Sequence, residues 1–166
     1  MSISIKEFVD VEDRAMALGC EIPTGLTLLP RNFSTAGSKD ELIHESSVTT
    51  VRTLFRQNQL HETRLERDGD KFNRIVERGN DWIAPTLFLA ASLLMQNPNV
   101  TALAINIISN YLTDWFKGIP GRKNIRLDVV VEKQTKKTYM KISYEGDIEG
   151  MSEIPNIVQK VFNDES

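Results

Sequence analysis

The chain of 166 residues carries a formal net charge of −3, and 40% of its residues are hydrophobic and 26% charged. Such a composition is typical of folded globular proteins and argues against disorder, and the acidic balance excludes a global basic field for nucleic acid or anionic lipid. A chain of this length buries roughly two thirds of its unfolded surface, so a single domain is expected without disulfides or metals.

The apolar residues of the N-terminal region predict a helix and then a strand. Between residues 5 and 18 they recur at the spacing of an amphipathic helix, and Gly19 stands where that helix would end. A turn then leads into the apolar run 26–29, which suits a strand. The small, polar segment 32–39 is predicted to be a loop.

A second helix and a hairpin are predicted next. Residues 48–57 carry a helical apolar stripe, and Ser47 is in position to be the N-cap. Residues 60–66 and 72–77 flank the Asp-Gly pair within 67–70, which is a common hairpin signal. A short helix after the turn is the alternative.

The segment from Trp82 to Thr113 contains no Asp, Glu, Lys, Arg or His and is therefore predicted to be the buried centre of the fold. A membrane helix needs about 20 continuous apolar residues, whereas residues 96–99 interrupt this run with polar side chains and a proline. Stable membrane insertion is therefore not expected. Residues 83–91 contain Pro85 and suit either a core strand or the start of a helix.

The C-terminal half predicts a helix, a β-hairpin and a last helix. A buried helix is expected at about residues 99–117, ended by Gly118. Residues 125–132 and 140–144 alternate between apolar and polar side chains, as in a hairpin with one solvent-exposed face. Residues 152–162 have the spacing of an amphipathic helix.

Together these elements predict an α+β fold, in a single globular domain over residues 1–166. We expect a mixed or antiparallel sheet whose C-terminal β-hairpin packs against the buried helix, with amphipathic helices flanking it.

Cysteine usage and the N-terminal charges indicate a cytoplasmic protein. Cys20 is the only cysteine, so an intramolecular disulfide is impossible and a reducing compartment is expected. Residues 1–13 carry five charged side chains and no continuous apolar core, unlike a secretory signal peptide.

Candidate catalytic and metal-binding residues are few. Neither His44 nor His61 lies in a catalytic or zinc-binding pattern, so solvent-exposed or hairpin positions are expected for both. The carboxylates at 68 and 70 and at 147 and 149 lie beside glycines and are interpreted as turn residues. Cys20 is expected to be a small buried residue. No catalytic residue, cofactor or metal is predicted, although an enzyme of unrecognised type is an alternative.

A basic loop is the candidate site for an anion or a partner. It contains Lys117, Arg122, Lys123 and Arg126. With these residues, the G-x-x-G at 118–121 resembles the backbone-clamping loop of KH-type RNA-binding domains, although that loop joins two helices and here a strand is predicted to follow. RNA or other anion binding through residues 117–126 is therefore a further alternative, and nucleic acid is not the favoured partner.

The element order of residues 97–162 carries a resemblance to a known family. An apolar helix ending Tyr111-Leu-Thr-Asp-Trp-Phe116, a β-hairpin and a short terminal helix are similar to the small effector-associated adaptor domains of bacterial conflict systems. The resemblance implies a role in coupling other components. We therefore expect a non-catalytic interaction or adaptor protein that binds a protein partner or forms a homo-oligomer. The resemblance implies that it is a component of a bacterial defence or conflict system.

Overall fold

One mixed sheet and a small parallel ladder organise the computed structural model, which describes residues 1–75, 81–121, 123–134 and 137–164. The strands are β1 (Ser2–Phe8), β2 (Leu26–Leu29), β3 (Ile43–His44), β4 (Asn73–Arg74), β5 (Asp81–Ile83), β6 (Thr86–Leu89), β7 (Asn124–Glu132) and β8 (Tyr139–Gly146). The main sheet has the order β1-β8-β7-β6-β2, with β5 also paired to β7, and β3 pairs with β4 separately.

Five helices lie between and after these strands along the described chain. They are α1 (Val11–Ala17), α2 (Val48–Gln57), α3 (Ala91–Gln96), α4 (Val100–Phe116) and α5 (Ile154–Asn163), with 3-10 turns at Lys39–Glu41 and Glu149–Glu153. The α+β class and the mixed sheet are therefore confirmed. Among the described residues, no helix is long and apolar enough to cross a membrane.

The two faces of the main sheet bury different clusters. On the first, which we call the core face, side chains of β7 such as Leu127 and Val129 pack with α2, α4 and α5. On the second face, Val130 and Phe88 pack with α1 and with Phe33 of the segment that follows β2. Among the described residues, only one end of the second face is covered in this way, and its other end is open.

Several predicted elements match the observed ones closely. Strand 26–29, helix 48–57, the buried helix and the C-terminal hairpin are all present. Residues 83–91 form mainly strand, with β6 central in the sheet and α3 beginning only at Ala91. The hairpin was expected to have one exposed face, which is wrong around Val130, because that residue is fully buried under the second cluster.

The predicted helix over residues 5–18 is wrong in its first part. Residues up to Phe8 belong to β1, which pairs antiparallel with β8, and the helix begins only at Val11. Asp10 separates the two elements, because its side chain accepts a hydrogen bond of 3.0 Å from the Asp13 N–H and so caps α1. Sheet pairing at long sequence distance has here overridden the local spacing.

The predicted hairpin around residues 67–70 is also wrong. Its second strand, β4, pairs in parallel with β3, while the segment 60–66 runs beside β2. Gly69 supplies the turn, with φ at 87°. The alternative helix is wrong as well over residues 71–75, which contain β4. Residues 76 and 77 of the hairpin prediction, and the end of the alternative helix, lie outside the described residues.

Ser47 does not cap α2 with its side chain. Its hydroxyl donates instead to the Ile83 carbonyl at 2.5 Å and so ties the start of α2 to β5.

Candidate functional site: a polar groove on the open half of the sheet

The open end of the second face forms a groove of about 600 Å³, with the sheet as its floor. We call it the sheet groove. The polar and charged residues that line it are Ser2, Ser4, Arg31, Glu45, Thr86, Arg126, Asp128, Ser143 and Glu145. Because β1, β6, β7 and β8 all contribute, this site exists only in the folded sheet.

The strand register arranges four of these side chains in one row across the floor. Ser4 pairs with Ser143, and Ser143 pairs with Asp128 on the next strand. The parallel register of β6 and β7 places Thr86 on the far side of Asp128. Cross-strand partners project to the same face, so the Asp128 carboxylate lies in a row of hydroxyl groups.

A second row of the floor carries an ion-pair network. Arg126 Nε lies 3.8 Å from Asp81 Oδ2 and 3.5 Å from Glu145 Oε1. Asn124 Nδ2 also donates to Glu145 Oε1 at 3.0 Å. All three charged side chains are about half exposed, so solvent screens their attraction and each ion pair adds little to stability.

The ion pair of Arg31 and Glu45 borders the groove. The guanidinium donates to both oxygens of Glu45, with Nε at 2.5 Å from Oε2 and Nη2 at 2.6 Å from Oε1. The Glu45 side chain is only 6% exposed. A buried carboxylate needs such a partner, because an unpaired charge would lose its hydration without compensation.

The described lining of the sheet groove carries an excess of one negative charge. Its carboxylates are those of Glu45, Asp128 and Glu145, and its guanidinium groups are those of Arg31 and Arg126. Lys6 and Lys141 lie on the same face of the sheet, one row further towards the covered end.

Asp128 differs from the other carboxylates of the groove. Within the part of the chain that the structure describes, the Asp128 carboxylate forms no ion pair. Its neighbours in the row all bear hydroxyl groups, which are uncharged. A carboxylate accepts hydrogen bonds only, and hydroxyl oxygens can also accept. The row is therefore suited to a ligand group that is positively charged and has several N–H donors.

A separate charge cluster holds the segment 60–66 against α2. Arg52 lies 3.0 Å from Glu62 and 2.8 Å from Glu66, and all three side chains are nearly buried. His44 Nε2 lies 3.7 Å from Glu66 Oε2. Burial acts to raise the pKa of Glu66, but His44 and the Arg52 guanidinium outweigh it and lower that pKa to about 2.

The two histidines therefore occupy different environments. His61 is exposed, as expected, whereas the expectation for His44 is wrong, because this side chain is buried against the Phe72 ring. Cys20 is buried, and its burial raises the pKa of the thiol. A buried thiol with a raised pKa is a poor nucleophile at neutral pH.

The four candidate residues of the basic loop do not form one observed cluster. Lys117 Nζ pairs with Asp114 at 3.3 Å, and Lys123 Nζ lies 6.0 Å from the centre of the Phe116 ring. Both therefore lie at the end of α4, whereas Arg126 belongs to the sheet groove. Arg122 lies outside the described residues, so anion binding by these four residues stays a prediction.

The carboxylate pairs make contacts typical of turns. Asp70 Oδ2 accepts from the Arg67 N–H at 3.0 Å, and Asp147 Oδ1 accepts from the Gly150 N–H at 2.8 Å. Over the described ranges, no group of three or more His, Cys, Asp or Glu side chains is arranged to hold a metal ion.

Comparison with protein families, with curated proteins and with solved structures found no match to this chain. The sheet groove must therefore be interpreted from its own chemistry.

Proposed function

We propose that this chain is a non-catalytic interaction protein whose sheet groove binds a lysine or arginine side chain of a protein partner. The observation that supports the proposal is the Asp128 carboxylate, set between hydroxyl groups in a groove with excess negative charge. An ammonium group there would donate to the carboxylate and to neighbouring hydroxyl oxygens, and such charge-assisted hydrogen bonds are among the strong ones in proteins.

The lining of the groove favours binding over catalysis. Its described lining residues include no histidine and no cysteine, the residues that most often serve as general base or activated nucleophile. The serine hydroxyls of the row lie within paired strands, not on a turn that would present one of them to a substrate. The resemblance of residues 97–162 to adaptor domains of bacterial conflict systems is in keeping with a role in coupling proteins.

Peptide titration followed by NMR tests this function. We expect a tetralysine peptide to shift the amide signals of β7 and β8 around Asp128, and the same peptide acetylated on its side chains to shift them much less. Asp128→Asn should weaken binding about tenfold, because the amide oxygen can still accept a hydrogen bond but the negative charge that strengthens it is lost.

The matched control is Asp40→Asn, which removes one negative charge from an exposed turn outside the groove. It should leave the affinity nearly unchanged. Equal weakening by both variants would mean that the peptide responds only to net charge, and the proposed site would then be wrong.

A further inference from the structure

The first strand forms an edge of the main sheet. All seven residues of β1, Ser2 to Phe8, pair with β8 on one side. Among the described residues, no backbone group pairs with β1 on its other side. The opposite edge, β2, is different, because Thr63 N donates to Leu26 O at 2.8 Å and the segment 60–66 runs beside it. A regular edge strand with free backbone groups is ready to pair with another strand.

We propose that β1 pairs antiparallel with β1 of a second copy of this chain, about a twofold axis beside Ile5. The main sheet has five strand positions from β1 to β2, so the two copies would form one continuous sheet with twice that width. The occupant of the edge is therefore another molecule of the same protein.

Backbone geometry restricts the register of this pairing. Only alternate residues of an edge strand direct their N–H and C=O groups outward, so the numbers of two paired residues must add to an even sum. If the two numbers add to 10, Ile5 lies on the axis opposite its own copy, Ser4 lies opposite Lys6, and every residue of β1 is paired. The sum of 12 would oppose Lys6 to its own copy, which is unfavourable for like charges.

The favoured register brings the same apolar side chain of the two copies together. On the core face, Ile5 is 47% exposed in the single chain, and the axis would bury it against Ile5 of the second copy. On the second face, Lys6 of the second copy lies opposite the uncharged Ser4, so no like charges are directly opposed. Apolar burial on the core face therefore favours this register.

Sedimentation over a wide concentration range tests the assembly. The wild-type chain should dimerise reversibly, and Ile5→Lys should be monomeric because two added charges would meet on the axis. The matched control, Met95→Lys, adds the same charge at an exposed position on α3 and should still dimerise. Circular dichroism establishes that each variant is folded.

Two results of this experiment would overturn the proposal. One is a wild-type chain that is monomeric at every concentration, in which case Lys6 serves to protect the edge from pairing. The other is a dimer that Ile5→Lys leaves as stable as Met95→Lys does.

Introduced cysteines test the register itself. Directly opposed residues of an antiparallel pair have Cβ atoms about 5 Å apart, whereas Cα atoms more than about 7 Å apart cannot be bridged. Ile5→Cys should therefore cross-link to its own copy under mild oxidation. Ser4→Cys and Lys6→Cys should cross-link only when the two variants are mixed, because each lies about 8 Å from its own copy. Any other pattern means a different register or a different interface.

The dimer and the binding site can fail independently. Asp128 lies on β7, separated from the edge strand by β8, so Asp128→Asn should dimerise as the wild-type chain does. A wild-type chain that dimerises but does not bind the peptide would contradict only the proposed binding site. A wild-type chain that binds the peptide as a monomer would contradict only the proposed dimer.

Discussion

The two halves of the second face of the sheet are built on the same strands but differ in what covers them. In the covered half, Phe8, Tyr139, Val130 and Phe88 lie under α1 and the segment after β2. In the open half, the same strands present polar side chains to the sheet groove.

The difference arises two residues along each strand. On this face of β7, Asp128 in the open half lies two residues before Val130 in the covered half. Val129, Val130 and Val131 are all fully buried, so β7 is apolar on both faces at its covered end. A continuous apolar run is typical of a strand covered on both faces, and alternation is typical of one covered on a single face. One strand can therefore contribute to a core and to a binding surface at once.

The largest effect is expected from placing a charge in the covered half. Val130 is 0% exposed, so Val130→Asp would place a charge inside a packed apolar cluster, with its cross-strand neighbour Lys141 as a cation at the cluster's border. It should lower the free energy of unfolding by about 3 kcal/mol or more. Val130→Thr should cost less, about 1 to 3 kcal/mol, for its unpaired hydroxyl. Urea unfolding measures both.

The control for this comparison is Ser4→Asp, on the same face but exposed in the open half. It should change stability by less than about 0.5 kcal/mol. If both aspartate variants unfolded at similar urea concentrations, the two halves would not differ in burial as described.

A smaller effect is expected from the charge cluster around Glu66. Its folded pKa of about 2 lies below the ordinary 4.5, so its stabilising contribution is complete above pH 4.5 and is lost as the pH falls towards 2. After allowance for solvent screening, Glu66→Gln should cost about 1 to 2 kcal/mol at pH 7 and progressively less in acid.

Unfolding measured at several pH values tests this expectation. Glu149→Gln, at an exposed position, serves as the control and should follow the wild-type chain throughout. If the difference in free energy of unfolding between Glu66→Gln and the wild-type chain stayed constant down to pH 2, Arg52 and His44 would not be holding the Glu66 carboxylate in its charged form.

Much of the fold could be predicted from the sequence because its signals are local. The helix from Val100 to Phe116 and the hairpin of β7 and β8 follow from apolar spacing and from turn residues close in the chain. The first strand could not be predicted in this way, because residues 2–8 become a strand only by pairing with β8, which lies far along the chain.

The sheet groove depends on the same long-range pairing. Asp128 could be assigned to the polar side of the hairpin from alternation alone, but Ser4 and Thr86 join it only through the register of β1 and β6. Arg126 was among the predicted site residues, although on the basis of a basic loop and not of its acidic neighbours. The triple valine of β7 was the available signal that part of the second face is covered.

The smallest effect is expected from the ion pairs of the open half. Arg126 is 53% exposed and Glu145 is 47% exposed, so Arg126→Ala should lower the free energy of unfolding by no more than about 0.5 kcal/mol. A double-mutant cycle with Glu145→Ala should give a coupling energy below about 0.5 kcal/mol that declines further in high salt, because the pair is solvated. A coupling energy above about 1 kcal/mol that salt did not reduce would mean that this half of the sheet is as closed to water as the half around Val130.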